Sequence, residues 1–168
     1  MAGEPPTSRG LNSAGAIDGN IGGIRDAILA EMKQLYKMPM SSDTFLSAEV
    51  ADVLVRLTAL INREMLIYVA RSGEIMDVRI GDDRTVDMEE MRLVRNIDRL
   101  CGVRCIHTHP GGSAHLSDVD LTALKTLRLD AMCALGVDGQ GRVTGVTAAF
   151  LGERVDGVPQ PWVTPVFS

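Results

Sequence analysis

Basic charge is in short supply in this chain. Its 17 lysines and arginines stand against 22 aspartates and glutamates, giving a formal net charge of −5 and a pI near 5.1. Such a chain lacks the positive field that holds a phosphate backbone by counterion release, so direct nucleic-acid binding by this segment is disfavoured. Long apolar runs are missing as well. None approaches the roughly 20 residues needed to span a bilayer, and the amino terminus has no basic stretch leading into an apolar one. The expectation is a soluble, cytoplasmic protein with no membrane partner. The 3 cysteines, Cys101, Cys105 and Cys133, form an odd set without C-x-x-C spacing. Cys105 and Cys133 lie among apolar neighbours, where a thiol packs as a small hydrophobe rather than serving redox or metal chemistry. No internal repeat and no G-x-x-x-x-G-K-[ST] phosphate loop is present, so this segment cannot hold a nucleotide in P-loop fashion.

What is present suffices for one core. With 45% hydrophobic residues and a mean hydropathy of +0.09, 168 residues support a single domain. Residues 1–20 are rich in Gly, Pro, Ser and Ala without apolar periodicity and are expected to be unstructured. Ile24, Ile28, Leu29, Met32, Leu35 and Tyr36 then trace one helical face that Pro39 stops. A second helix is expected from Ser47, a good N-cap, through Val50, Val53, Leu54, Leu57 and Ile61, with Glu49, Asp52 and Arg56 on a solvated flank. Two strands follow, Glu64 to Arg71 and Glu74 to Ile80, around a Ser72-Gly73 turn, with a further turn at Gly81-Asp82-Asp83 and a short helix between Met88 and Leu100. Met132–Val137 and Val143–Leu151 read as strands flanking the Asp138-Gly-Gln-Gly141 turn. The alternation predicts an α/β domain over residues 21–151, a central mixed sheet flanked by helices, and the prolines of 152–168 predict a tail or linker.

The chemistry concentrates between Arg104 and Arg128. If Arg104 to Thr108 is a strand, its period of two places His107 and His109 on one face and turns Thr108 to the other, where packing is its expected task. Leucines at helical spacing follow from Asp118, putting Asp120 in the helix's first turn, where its carboxylate can reach back to the strand end. Two imidazoles and a carboxylate are a three-ligand set for Zn²⁺ that leaves a fourth position to water, as catalytic sites require. Pro110, Gly111 and Gly112 shape the loop, and His115 reads as a solvent-exposed loop histidine. The pattern His107-x-His109-x(7)-Ser117-x(2)-Asp120 resembles the JAMM (MPN-type) metalloprotease motif at each defined position. The resemblance implies a cytidine-deaminase-like sandwich, one catalytic zinc held by His107, His109 and Asp120, and a peptide or isopeptide substrate. Hydrolysis also needs a group to carry the proton to the leaving nitrogen. Glu64, opening a strand after a helix, stands where JAMM proteins place that acid/base. Ser117 would donate to the oxyanion, although Ser before Asp118 is also a favoured helix cap, and both hold if Asp118 makes the cap.

A longer likeness runs from about Gly19 to Leu151. The stretches GNIGGIRDAILAEMKQLY, LSAEVADVLVRLTALINRE, IYVARSGEIMDVRIGD and CIHTHPGGSAHLSDVDLTALKTLRLDAMCALGVDGQG resemble the amino-terminal domain of the HflX family of ribosome-associated GTPases. That resemblance implies a helical linker and a GTP-binding domain in a longer protein, and the ribosome as partner through them. Typical members have leucine after the second histidine and often glutamine where Glu64 stands. Pro110 and Glu64 here restore the JAMM pattern. The alternative implied is a non-catalytic ribosome- or partner-binding module with a relic metal site.

Overall fold

The computed structural model describes residues 15–81 and 102–150, and the backbone of two short paired strands, β7 (Arg154–Val155) and β8 (Val158–Pro159). The described chain is a mixed α/β domain. Its elements run β1 (Ile17–Gly19), α1 (Asp26–Lys33), α2 (Ala48–Ile61), β2 (Met65–Ala70), β3 (Ile75–Ile80), β4 (Val103–Pro110), α3 (Asp118–Leu127), β5 (Ala131–Val137) and β6 (Val143–Phe150). The six strands form one sheet in the order β1-β3-β2-β4-β5-β6. β2 and β3 are the expected antiparallel hairpin, β4 is antiparallel to β2, and β4 and β5 are parallel, joined across α3.

Alternation along the strands builds two cores, one on each side of the sheet. Ile67, Val69, Ile106, Cys133 and Leu135 face α1 and α2, meeting Met32, Leu35, Val50, Leu54 and Leu57. Leu66, Tyr68, Cys105, Met132 and Ala134 face the other way and meet Leu116, Leu124 and Leu127 around α3. Leu54 and Leu57 have no exposed surface, so cutting either to alanine costs about 2–5 kcal/mol. Helix ends follow local chemistry. The Ser47 hydroxyl accepts from the Val50 amide at 3.2 Å, and α2 stops where Asn62 takes a left-handed conformation, φ 52°. Among the described residues no helix is long and apolar enough to cross a membrane.

Two expectations change. The first helix ends at Lys33 and continues only as a 3-10 turn, Gln34–Lys37. From that turn Tyr36 reaches the sheet edge, donating to the Ala16 carbonyl at 2.7 Å and accepting from the Val78 amide at 2.9 Å. Second, Ile17–Gly19, inside the segment expected to be unstructured, is a strand parallel to β3. Ile17 is buried in the core, and Gly19, at φ 91°, passes so close to the Ile80 carbonyl that a Cβ would collide with it. That partnership is made across some 60 residues of chain, which local composition cannot report. The solvated flank of α2 is as expected, with Glu49, Asp52 and Arg56 exposed, and Arg56 makes a surface pair with Glu31 of α1 at 2.7 Å. The helix expected between Met88 and Leu100, most of the turn after Gly81, and Cys101 lie outside the described residues.

Candidate metal centre

Strand direction brings the site residues together. Because β2 and β4 are antiparallel, with Leu66 opposite His107, the start of β2 lies beside the end of β4. Glu64, two residues before Leu66, and His109, two residues after His107, therefore fall at the same level and on the same face. The parallel step from β4 to β5 sends the chain across that face, and the first turn of α3 comes down over the strand end.

Glu64, His107 and His109 each present a ligand atom within 4.8 Å of the others, a grouping that could hold a metal ion. Glu64 Oε1 stands 3.8 Å from His107 Nε2 and 3.9 Å from His109 Nε2. The imidazoles meet edge to face, centroids 4.6 Å apart. Asp120 is outside that triplet but brings Oδ2 to 3.4 Å from His107 Nε2. The described structure thus gathers four of the five groups that the sequence singled out, Glu64, His107, His109 and Asp120, with Glu64 close to both imidazoles.

His107 is 1% exposed, and neither of its ring nitrogens has a hydrogen-bond partner; among the described residues these are the only buried side-chain polar atoms so placed. A buried polar atom left unpaired costs roughly 1–3 kcal/mol, so it signals a binding role unless something compensates. The donor set fits a cation of borderline softness: two imidazoles and carboxylates, with no thiolate. Cys105 nearby does not join it. Burial first, then the charges of Glu64 and Asp120, push its thiol well above the ordinary value, which leaves it a packing group.

His109 is oriented by the loop that follows β4. Its Nδ1 lies 2.9 Å from the Ser113 carbonyl, so Nδ1 carries the proton and Nε2 turns its lone pair toward Glu64 and His107. Burial, followed by the His107 charge, lowers its pKa and keeps the ring neutral and able to coordinate. The loop is itself seated. The Thr144 hydroxyl on β6 donates to the Gly112 carbonyl at 2.6 Å, and Gly136 on β5 leaves room for that contact. A Cβ at position 136 would stand 2.5 Å from Thr144 Oγ1 and 2.6 Å from the Gly112 oxygen.

Asp120 and Ser117 form a capping box at the start of α3. The Ser117 hydroxyl accepts from the Asp120 amide at 3.1 Å and the Asp120 carboxylate accepts from the Ser117 amide at 2.9 Å. The cap is Ser117 itself and not Asp118. Its hydroxyl proton is not consumed by accepting that bond and can still be donated. Burial alone would raise the Asp120 pKa; the adjacent His107 imidazole, with the Ser117 contacts, overcomes it and holds the carboxyl at about 2. His115 is exposed and outside the cluster. Sequence reasoning missed the Ser113 carbonyl and the Gly136 seat, whose only sequence signal is a glycine inside a buried strand.

No family model matches the chain, and neither the curated proteins nor the solved structures contain a match to it.

Proposed function

We propose that this domain is a JAMM-like zinc-dependent hydrolase of peptide or isopeptide amides. The observation that carries the reading is His107, an imidazole buried with neither nitrogen hydrogen-bonded, beside His109 and two carboxylates. His107 and His109 supply the nitrogen ligands and Asp120 the carboxylate. Donor atoms of a tetrahedral ion at ~2.0–2.2 Å stand roughly 3.3–3.6 Å apart. The 3.4 Å between Asp120 and His107 matches that spacing; Glu64, which completes the triplet within 4.8 Å at 3.8 and 3.9 Å from the two imidazoles, is given the water-serving role by its place at the start of the strand. When bound, zinc would polarise the amide carbonyl and lower the pKa of a water.

The protein groups do the rest. Glu64 takes the proton from the attacking water and passes it to the amide nitrogen as the C–N bond breaks. Ser117 donates its hydroxyl proton to the oxygen that gains charge. Asp120, ionised far below neutral pH, supports His107, and the Ser113 carbonyl keeps His109 in the coordinating tautomer.

The test pairs metal uptake with turnover. Glu64→Gln should keep zinc nearly at wild-type affinity and lose hydrolysis of peptide and isopeptide substrates, while Asp120→Asn should lose the metal. A carboxamide at 64 that removes metal and turnover together would exchange the two roles. Zinc uptake without hydrolysis of any amide, alongside ribosome co-sedimentation of a longer protein containing this domain, would favour the non-catalytic module of an HflX-like GTPase.

A further inference from the structure

The β2–β4 ladder runs only from the Leu66–His107 pair to the Ala70–Val103 pair. One step further on, where Met65 would meet Thr108 across the ladder, a side chain takes over. The Met65 amide donates to Thr108 Oγ1 at 2.9 Å, and that hydroxyl lies 2.6 Å from Thr58 Oγ1 on α2, with the Met65 carbonyl at 3.4 Å. Both threonines are completely buried. Thr108 sits between the two histidines in sequence but on the opposite face of the sheet, so it touches neither ring. Met65 is the residue directly after Glu64. The Glu64 carbonyl accepts from the Gly81 amide at 2.8 Å, so its backbone is held on the β3 side while Thr108 holds the β4 side.

We infer that Thr108, braced by Thr58, is a positioning residue that fixes where Glu64 leaves the sheet and hence how its carboxylate meets His107 and His109. This inference rests on the metal-hydrolase reading for its functional meaning, but its geometric content is independent of it. An ordinary ladder bond would keep β2 and β4 at their usual separation past His107. A hydroxyl reaching in from the far face lets the strands part there without orphaning the Met65 amide, opening the gap in which Glu64 stands beside both imidazoles. Ordinary packing does not need a hydrogen-bonding group at position 108. The burial of two hydroxyls facing each other beneath a catalytic carboxylate does.

The experiment compares Thr108→Val, which keeps the shape and removes the hydroxyl, with Thr108→Ser, which keeps the hydroxyl. Co²⁺ serves as the probe, titrated into the folded domain well below its melting temperature and read by its visible absorption bands. Thr108→Val should keep Co²⁺ affinity near wild type but change the band pattern and lower amide hydrolysis about tenfold, and Thr108→Ser should restore both spectrum and rate. A valine variant that melts earlier yet keeps the wild-type Co²⁺ spectrum would overturn the inference, leaving Thr108 a structural residue only. If the wild-type domain takes up no Co²⁺, the metal reading fails, and metal-free crystal structures decide the positioning claim. Displacement of the Glu64 carboxylate by about 1 Å or more in Thr108→Val, but not in Thr108→Ser, upholds it; an unmoved carboxylate overturns it. Should Thr108→Val not fold, Thr58→Val, read in the same two ways, puts the brace to the same test.

Discussion

Two neighbouring residues of β4, Thr108 and His107, are buried on opposite faces of the sheet and are treated in opposite ways. On the α1–α2 face every described buried polar side chain is satisfied. Thr58 and Thr108 bond to each other and to Met65, and the buried Arg104 guanidinium donates to the carbonyls of Thr44, Phe45 and Ala70 while lying 5.4 Å from the Phe45 ring centroid. On the α3 face Asp77 and Arg79 pair at 2.7 Å, but His107, equally buried, has neither ring nitrogen hydrogen-bonded. Both faces belong to the same strand, β4, one residue apart. A fold able to satisfy a threonine and an arginine this fully has the means to satisfy a histidine. That it does not sets the His107 end of β4 apart as the place where bonding capacity is kept in reserve.

The predictions sharpen or break that contrast. The largest effect is expected at Glu64, where Glu64→Gln should reduce amide hydrolysis by about 10²–10⁴-fold, measured as kcat on an isopeptide substrate at saturating zinc. Next, Asp120→Asn should weaken zinc by more than about tenfold in calorimetric titration. The same variant should flatten the acid limb of stability. A carboxyl held at about 2 in the fold contributes stability that is present above its unfolded value near 3.9 and is lost as pH falls toward 2, so wild type and variant should converge there in denaturant melts.

Stability gives the contrast its own test. In metal-free protein, His107→Leu should stabilise by about 1–2 kcal/mol or leave stability unchanged, because an unpaired buried imidazole is replaced by an apolar group. Thr108→Val should destabilise by about 1–3 kcal/mol, because it orphans the Met65 amide. Equal losses in urea melts would abolish the distinction between the two residues. Gly136→Ala should weaken zinc binding a few-fold by lifting the Gly112–Ser113 loop off β5 and releasing His109 Nδ1, seen as a changed imidazole signal by NMR.

The smallest effect is expected far from the site. Asp77, completely buried, is raised to about 6 by burial, against the pull of Arg79 at 2.7 Å. An acid whose folded pKa is raised contributes stability that is complete below about 3.9 and lost as pH rises through 6. Wild type should therefore lose stability between pH 4 and 6 relative to Asp77→Asn, with the difference read from parallel melts.

Much of the site was legible because it depends on local periods. Strand parity places His107 and His109 together and sends Thr108 to the far face, and the spacing of Ser117 and Asp120 is that of a capping box at a helix start. The mixed sheet with flanking helices followed from the alternation of strand and helix patterns. What was not legible depends on distant contacts. β1 pairs with a strand far along the chain, the Ser113 carbonyl acts only because Gly136 and Thr144 seat its loop, and the hydroxyl partnership of Thr108 needs Thr58, 50 residues earlier. Nor could spacing show that Glu64 would stand as a fourth group beside both imidazoles, since that follows from the β2–β4 register.

Zinc titration of the purified metal-free domain, repeated with His107→Ala, tests the central claim most directly. One ion per chain should bind to the wild type with release of little or no heat in the variant. No uptake by the wild type, or uptake that survives loss of the His107 imidazole, would contradict the account.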